Sequence, residues 1–168
     1  MSPGSMSFGS RPFAAASTSP RSSRSSGGTH AGLMVGQSLY GLEAGLIGIS
    51  IDKGASGNTP FAEHIVQLAN ATAERLGVRS RFSASDLTLR ENYLGDGYGV
   101  VGDLERRAIR LVARTEGVLL DPVYTGRAMG GLIDMIERGE LSREHAVLFW
   151  HTGGTPALFP YVRDLIGK

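Results

Sequence analysis

Three short apolar runs, separated by helical patterns, are the feature that most limits the folds open to this chain. They are residues 46–51, 118–120 and 146–150, and each is apolar along nearly its whole length. Strands without polar alternation are typical of parallel sheets that helices cover on both faces. We therefore predict an α/β fold of three layers, αβα, around a mostly parallel sheet.

The segments between these runs have apolar residues at helical spacing. Helices are predicted over residues 31–42, from Pro60 to about residue 76, from about residue 104 to 117, over residues 125–138, and from Pro156. Thr59 at an N-cap followed by proline predicts a helix start, and Gly77 predicts its end. Residues 86–99 are rich in glycine and tyrosine, so we interpret them as a loop.

The amino-terminal residues have a different composition from the rest of the chain. Ten of residues 1–26 are serine, and the first acidic residue is Glu43. Such a segment buries too little apolar surface to offset the entropy of ordering, so we predict a disordered leader over residues 1–25. Its arginines without acids also resemble an organelle transit peptide, although no amphipathic helix is present. We find no strand pattern upstream of Ser26.

Composition excludes several classes of function. The chain has no cysteine, and 17 basic against 16 acidic residues give a net charge of +1. We therefore expect no disulfide or thiolate site, and neither a nucleic-acid nor a membrane partner. No apolar run approaches the roughly 18 residues of a membrane span, and the histidines lack metal-ligand spacing. We expect a cytoplasmic protein without a metal.

Three polar clusters lie beside the predicted secondary structure at the same edge of the sheet. Residues 25–29 open the first helix, residues 121–126 follow the second apolar run, and residues 151–154 follow the third. Ligands of parallel sheets bind beyond the carboxyl ends of the strands. We expect one crevice there. A sheet of three strands is small, so the chain is interpreted as part of a larger domain.

The first cluster has the features of a phosphate site. Ser26 and Thr29 offer hydroxyls, Gly27 and Gly28 let the backbone approach an anion, and a helix N-terminus favours negative charge. The alternative is a plain turn and N-cap. No Gly-Lys-Ser/Thr follows, so this is not a Walker loop.

Hydroxyl groups dominate the other candidate positions. Thr125 and Thr152 would face the crevice and could bond a neutral ring nitrogen, while Tyr124 could move a proton or stack on a ring. Tyr98 lies in a glycine-rich loop, where aromatic residues are often lids or contacts. The alternatives are that the threonines cap helices and the tyrosines pack. The sequence has no Gly-x-Ser-x-Gly motif, which argues against a serine hydrolase.

Five segments in this order resemble one enzyme family. They are residues 26–33 (SGGTHAGL), 91–99 (ENYLGDGYG), 116–127 (EGVLLDPVYTGR), 131–134 (GLID) and 151–159 (HTGGTPALF). The set is similar to the C-terminal half of D-cysteine desulfhydrases and their relatives, the 1-aminocyclopropane-1-carboxylate (ACC) deaminases and cysteate sulfo-lyases. These are pyridoxal-phosphate (PLP) enzymes with the tryptophan-synthase-β-like fold. The resemblance spans about residues 26–166 and implies a partial PLP-binding domain.

The resemblance also implies roles for individual residues. Residues 26–29 match the loop that holds the PLP phosphate, and Tyr98 and Tyr124 match two active-site tyrosines. Thr125 and Thr152 match positions near the pyridine nitrogen and substrate, where ACC deaminases resemble Glu and Leu. Threonine at both implies the desulfhydrase type, which eliminates sulfide from D-cysteine to give pyruvate and ammonia. The implied whole enzyme is a homodimer that acts on a small amino acid. L-cysteate sulfo-lyase and an ACC deaminase-like enzyme are the alternatives.

One family feature has no match in this sequence. The family's catalytic lysine, in a motif resembling Gly-Gly-Asn-Lys, belongs to its N-terminal half, and the two lysines here, Lys53 and Lys168, do not match it. We therefore expect residues 26–168 to be the C-terminal part of a lyase domain that is inactive by itself. Activity with the N-terminal half supplied in trans, or a non-catalytic phosphate-binding remnant, are the alternatives.

Overall fold

Four parallel strands form a single sheet. The computed structural model describes residues 11–16, 27–51 and 60–166. The strands are β1 (Arg11–Ala16), β2 (Ala44–Ile49), β3 (Thr88–Arg90) and β4 (Leu148–Trp150). Their order across the sheet is β3-β2-β1-β4, and every pairing is parallel. The predicted α/β class with a mainly parallel sheet is confirmed.

Helices cover both faces of this sheet. They are α1 (Gly28–Tyr40), α2 (Phe61–Arg75), α3 (Asp103–Thr115), α4 (Thr125–Glu137) and the short α5 (Val162–Ile166). Alternate side chains of β2 separate the layers, because Leu46 packs with α1 and α2 whereas Ile47 and Ile49 pack with α4. The three-layer αβα arrangement is therefore confirmed.

Residues 11–16 differ from the sequence prediction. We expected a disordered leader and no strand upstream of Ser26, yet β1 lies at the centre of the sheet. Phe13 pairs with Leu46 on one side and with Leu148 on the other. The run RPFAAA has few residues that favour strands, so the pairing with two neighbours overrides weak local propensity. The other leader residues, and Ser26 after them, lie outside the described residues.

Two further elements differ from prediction. Residues 118–120 form no strand; Leu120 is buried, while Val118 and Leu119 are about half exposed. In contrast, β3 lies within the segment predicted to be a loop. The Ser50 N–H, just after β2, donates to the carbonyl of Arg90 in β3 and extends the pairing of these two strands. A strand of three residues carries too little periodicity to be detected in sequence. Gly77 has φ +68° and ends α2 as predicted.

Gly48 of β2 lets α1 approach the sheet closely. A Cβ there would lie 2.3 Å from Nδ1 of His30, which is buried in the first turn of α1. Burial lowers the pKa of His30 to about 4, so its imidazole is neutral at pH 7. The histidine acts here as part of the interface between helix and sheet.

The strand order reverses beside β1. The chain passes from β1 through α1 to β2 on one side, whereas β4 joins the other side of β1 from the face that carries α4. In open parallel sheets, the point at which the order reverses leaves space beyond the carboxyl ends of the two strands. We call the space beyond β1 and β4 the switch-point crevice. The start of α1 is the next described segment after β1 in the chain, and residues 151–154 directly follow β4.

Candidate active site at the carboxyl edge of the sheet

The start of α1 is a tight glycine turn packed against α2. Gly27 has φ +65°, and a Cβ there would lie 2.5 Å from Cγ1 of Ile65. Its carbonyl accepts the Ala31 N–H at 3.0 Å. Glycine is therefore required both by conformation and by space. The first turn of α1 contains no acidic residue, so the helix end favours an anion beside Gly28 and Thr29.

Asp121 organises the turn that precedes α4. This aspartate is fully buried, and its carboxylate accepts the N–H groups of Val123, Tyr124 and Thr125 at 2.7–2.8 Å. The Thr125 hydroxyl donates a further bond to Oδ1 at 2.7 Å. Bonds of this kind to a carboxylate are stronger than neutral ones. The turn is thus locked as a closed unit.

The hydroxyl of Thr125 donates its hydrogen inside this turn. It donates to Asp121 Oδ1 and accepts the Asp121 N–H at 2.8 Å, and the residue is fully buried. A threonine hydroxyl carries a single hydrogen to donate. Thr125 has therefore none left for a ring nitrogen. A cofactor contact of Thr125 stays a prediction, and the structure gives its side chain a supporting role.

Thr152 is in the opposite situation. Its hydroxyl oxygen is buried and has no hydrogen-bond partner within the described part of the chain. Trp150 pairs with Ala15 of β1, so Thr152 lies two residues beyond the β1–β4 ladder, at the switch-point crevice. A buried hydroxyl without a partner costs about 1–3 kcal/mol. A ligand with a polar ring atom would supply the missing partner, and Thr152 thus fits an aromatic cofactor such as PLP.

The loop after β4 is held by His151 and two glycines. The Gly153 N–H donates to Nδ1 of His151 at 3.0 Å, which places the hydrogen on Nε2, 3.2 Å from the Leu119 carbonyl. Gly153 and Gly154 have φ +96° and +97°, and a Cβ on Gly154 would lie 2.7 Å from Cγ of Asp121. The sequence reasoning assigned no role to this packing of the loop on the Asp121 turn.

The two predicted tyrosines contact each other. Tyr98, from the loop after β3, and Tyr124, which precedes α4, share a hydrogen bond between their hydroxyls. Their rings lie edge to face, with centroids 6.1 Å apart and planes at 71°. Tyr98 is 37% exposed, so the pair is open to a small molecule. Two adjoining phenols can pass a proton between them or to a ligand.

Arg127 is a buried residue that the sequence reasoning left without a role. It lies on α4, three residues after Tyr124, and is 1% exposed. Its guanidinium forms an ion pair with Glu105 at 2.6 Å and donates to four backbone carbonyls. An arginine amid the apolar positions of a predicted helix is the signal that could have indicated it.

Two features are not found in the described ranges 11–16, 27–51 and 60–166. No group of three or more histidine, aspartate or glutamate side chains there could hold a metal ion. No helix in those ranges has the length and apolar character that crossing a bilayer requires.

Comparisons with known proteins complete the description of the site. A family model described as pyridoxal-phosphate dependent enzyme matches residues 23–153. The crystal structure of an ACC deaminase homologue is similar, with 32% sequence identity and a TM-score of 0.75. The match covers 93% of this chain and 43% of that chain, so the present chain spans less than half of that relative's length.

Proposed function

This chain belongs to the family of pyridoxal-phosphate dependent enzymes, and we propose that it forms the cofactor crevice of a D-cysteine desulfhydrase-like lyase. The whole lyase would eliminate sulfide from D-cysteine to yield pyruvate and ammonia. PLP, the cofactor of the family, supplies an electron sink for the carbon that bears the substrate amino group. The observation that carries the proposal is the buried hydroxyl of Thr152, which has no partner among the described residues.

Each end of the cofactor has a candidate partner in the switch-point crevice. Gly27, Gly28 and Thr29, at the positive end of α1, would hold the phosphate, with Ser26 added on the family resemblance. The Thr152 hydroxyl would donate to the ring nitrogen. A neutral donor leaves that nitrogen uncharged, whereas a carboxylate would favour its protonation. A weaker electron sink suits the loss of sulfide, which is a good leaving group.

The tyrosine pair is proposed to handle protons. The Oη atoms of Tyr98 and Tyr124 are already joined by a hydrogen bond, so one phenol can hold a proton while the other orients it. A proton delivered from either Oη to the departing sulfur would assist elimination. The Asp121–Thr125 turn fixes the backbone of Tyr124, because the Tyr124 N–H donates to the Asp121 carboxylate.

We propose that the chain by itself binds PLP reversibly and does not catalyse elimination. Its two lysines, Lys53 and Lys168, do not match the family motif for covalent attachment, and both lie outside the described residues. Covalent attachment by lysine also provides the base that removes the substrate proton. The homodimer and the cytoplasmic location expected from the sequence are part of the same proposal.

The test is a titration of the chain with PLP in which binding is monitored by the fluorescence of Trp150. This residue is the single tryptophan and lies two positions before Thr152, so bound PLP should quench it. We expect saturable quenching by PLP and much weaker quenching by pyridoxal, which has no phosphate. Thr29→Ala should weaken PLP binding roughly tenfold, because it removes a hydrogen bond to a charged group. Thr115→Ala, on the surface of α3, is the matched control.

A second variant tests the ring contact. Thr152→Val should weaken PLP binding severalfold yet leave the free energy of unfolding of the PLP-free chain unchanged or slightly higher, because a buried unpartnered hydroxyl is lost. Equal quenching by PLP and pyridoxal would contradict the phosphate site. Pyruvate release from D-cysteine, with a borohydride-stable adduct on Lys53, would contradict the proposed inactivity of the isolated chain.

A further inference from the structure

We propose that Arg127 is a positioning residue, which holds the loop carrying Tyr98 so that its phenol meets Tyr124. The catalytic meaning of this role rests on the function proposed above, but the positioning itself does not. We call Arg127, Glu105 and the loop of residues 91–102 the arginine clamp.

The guanidinium of Arg127 joins segments that are far apart in the sequence. Nη1 donates to the carbonyls of Leu94 and Gly97 at 2.9 and 3.1 Å, and Nη2 donates to Val100 at 2.9 Å. Nη1 also reaches the carbonyl of Ile51, just beyond β2, at 3.2 Å. A planar group with several fixed donors suits such a set of acceptors, whereas a lysine ammonium is a single point of charge.

The loop itself depends on this support. Its backbone follows β3 without regular structure, and Gly95, Gly97 and Gly99 have positive φ angles. Glycines lose much conformational entropy on ordering, so an unsupported loop of this kind would populate many conformations. The backbone bond from Val100 to Gly97 is long, at 3.4 Å. Arg127 contacts carbonyls on both sides of Tyr98 and therefore selects one conformation.

Glu105 completes the clamp from α3. One carboxylate oxygen accepts from Nε of Arg127 at 2.6 Å, and the other accepts the Gly102 N–H at 2.8 Å. The two side chains are 1% and 3% exposed. Glu105 thus neutralises the buried cation and fixes the far end of the same loop. A buried charge that was not paired in this way would be costly.

Both tyrosines are consequently positioned by one helix, α4. Tyr124 directly precedes α4, and Arg127 lies within its first turn. The arginine grips the loop at the carbonyls of Gly97 and Val100, on either side of Tyr98. The hydrogen bond between the two phenols then follows from the clamp, because the loop has no freedom to carry Tyr98 away from Tyr124.

Photo-oxidative cross-linking of tyrosines tests this proposal without any cofactor or activity. With ring centroids 6.1 Å apart, Tyr98 and Tyr124 should form dityrosine, identified by mass spectrometry of the linked peptides. Arg127→Lys keeps the charge beside Glu105 but loses the fork of donors. We expect its cross-link yield to fall about fivefold or more, the factor for losing one net hydrogen bond. Tyr98→Phe should abolish this linked pair, and Arg107→Lys, on the surface, should leave its yield unchanged.

The double variant Arg127→Met with Glu105→Leu guards against a failure of Arg127→Lys to fold. Replacing both members of a buried ion pair with apolar groups is often tolerated. Circular dichroism and thermal unfolding would confirm that the variants are folded. A folded variant with the wild-type yield of the Tyr98–Tyr124 link would overturn the proposal. A loss of that link with unchanged PLP binding would support the clamp, and failure of PLP binding with an intact link would count against the proposed function alone.

Discussion

The arginine clamp has its polar groups paired within the chain, whereas the β4 edge of the sheet leaves large apolar side chains partly exposed. In the clamp, a buried ion pair and four carbonyl bonds occupy the polar groups of Arg127. At the edge, Leu148 and Trp150 are nearly half exposed and line an apolar groove of about 290 Å³ together with Tyr40 and Leu42. The clamp is complete within this chain, and the edge is not covered by its described residues.

This contrast separates specific from nonspecific stabilisation. The clamp works only with a carboxylate and carbonyls at fixed positions, so the loss of one partner leaves a buried group unsatisfied. The edge interacts through area alone, and a half-exposed side chain contributes correspondingly little. Exposed strand edges also invite pairing with other chains. Mutations in the two regions should therefore differ in kind as well as in size.

The largest effect is expected for Arg127→Met alone. It leaves the Glu105 carboxylate buried beside an apolar side chain, and removal of one partner from such a pair costs about 3–5 kcal/mol. Denaturant unfolding would measure this loss. Arg107→Met, which breaks the exposed pair with Glu137, is the control and should leave the free energy of unfolding nearly unchanged. Similar losses for both would remove the distinction drawn for the clamp.

A second effect, of intermediate size, concerns His30, a buried polar group that lies in neither region. Nε2 of His30 has no partner among the described residues, and burial lowers the pKa of His30 to about 4, below the 6.5 of an exposed histidine. Between these values the unfolded chain binds the extra proton, so stability rises with pH through this window and falls on acidification. The loss from pH 6.5 to 4 approaches about 3 kcal/mol, at about 1.4 kcal/mol per pH unit.

Comparison of the wild type with His30→Met over this pH range isolates the histidine from the carboxylates that also titrate there. The variant should show a shallower decrease of the free energy of unfolding on acidification. His145→Met, at an exposed position, should follow the wild type. Parallel pH profiles for the wild type and His30→Met would show that His30 is protonated equally in the folded and unfolded chain.

The smallest effect on stability is expected at the β4 edge. The double variant Leu148→Thr with Trp150→Thr keeps residues that favour strands and should change the free energy of unfolding by about 1 kcal/mol or less. Its tendency to self-associate, measured by light scattering, should nevertheless decrease. Leu76→Thr, at the exposed end of α2, is the control for loss of apolar area. A loss of stability as large as that of Arg127→Met would show that the edge belongs to the core.

The sequence predicted those parts of the fold that local patterns encode. Apolar periodicity located α2 and α4 to within a few residues. Gly77 marked the end of α2 because the residue after a helix often takes a left-handed conformation, which glycine adopts without strain. The apolar runs predicted a parallel sheet. The same reasoning missed β1, whose residues carry no strand pattern and are held by pairing with both β2 and β4.

The candidate site was likewise predictable in its residue types but not in its contacts. The sequence determined which residue types follow the strands, but no local pattern paired Tyr98 with Tyr124. The structure brings these two tyrosines together. The sequence could not distinguish the two threonines, because the difference lies in hydrogen bonding: Thr125 donates its hydrogen to Asp121, and Thr152 has no described partner. A residue type shows what a hydroxyl can do, and its neighbours in space decide whether it is already occupied.

Arg127 shows the limit most clearly. Its side chain bonds to carbonyls 27 to 76 residues away along the chain, and none of those acceptors is marked by a side-chain type. The sequence by itself determined the α/β class, the order of most elements and the chemical groups offered at the carboxyl edge. The tertiary structure alone decided which strand completes the sheet, which threonine has already donated its hydroxyl hydrogen, and what holds the tyrosine loop. The strand and the loop depend on backbone groups that every residue possesses, and the threonine depends on the Asp121 carboxylate; only folding brings these groups into contact.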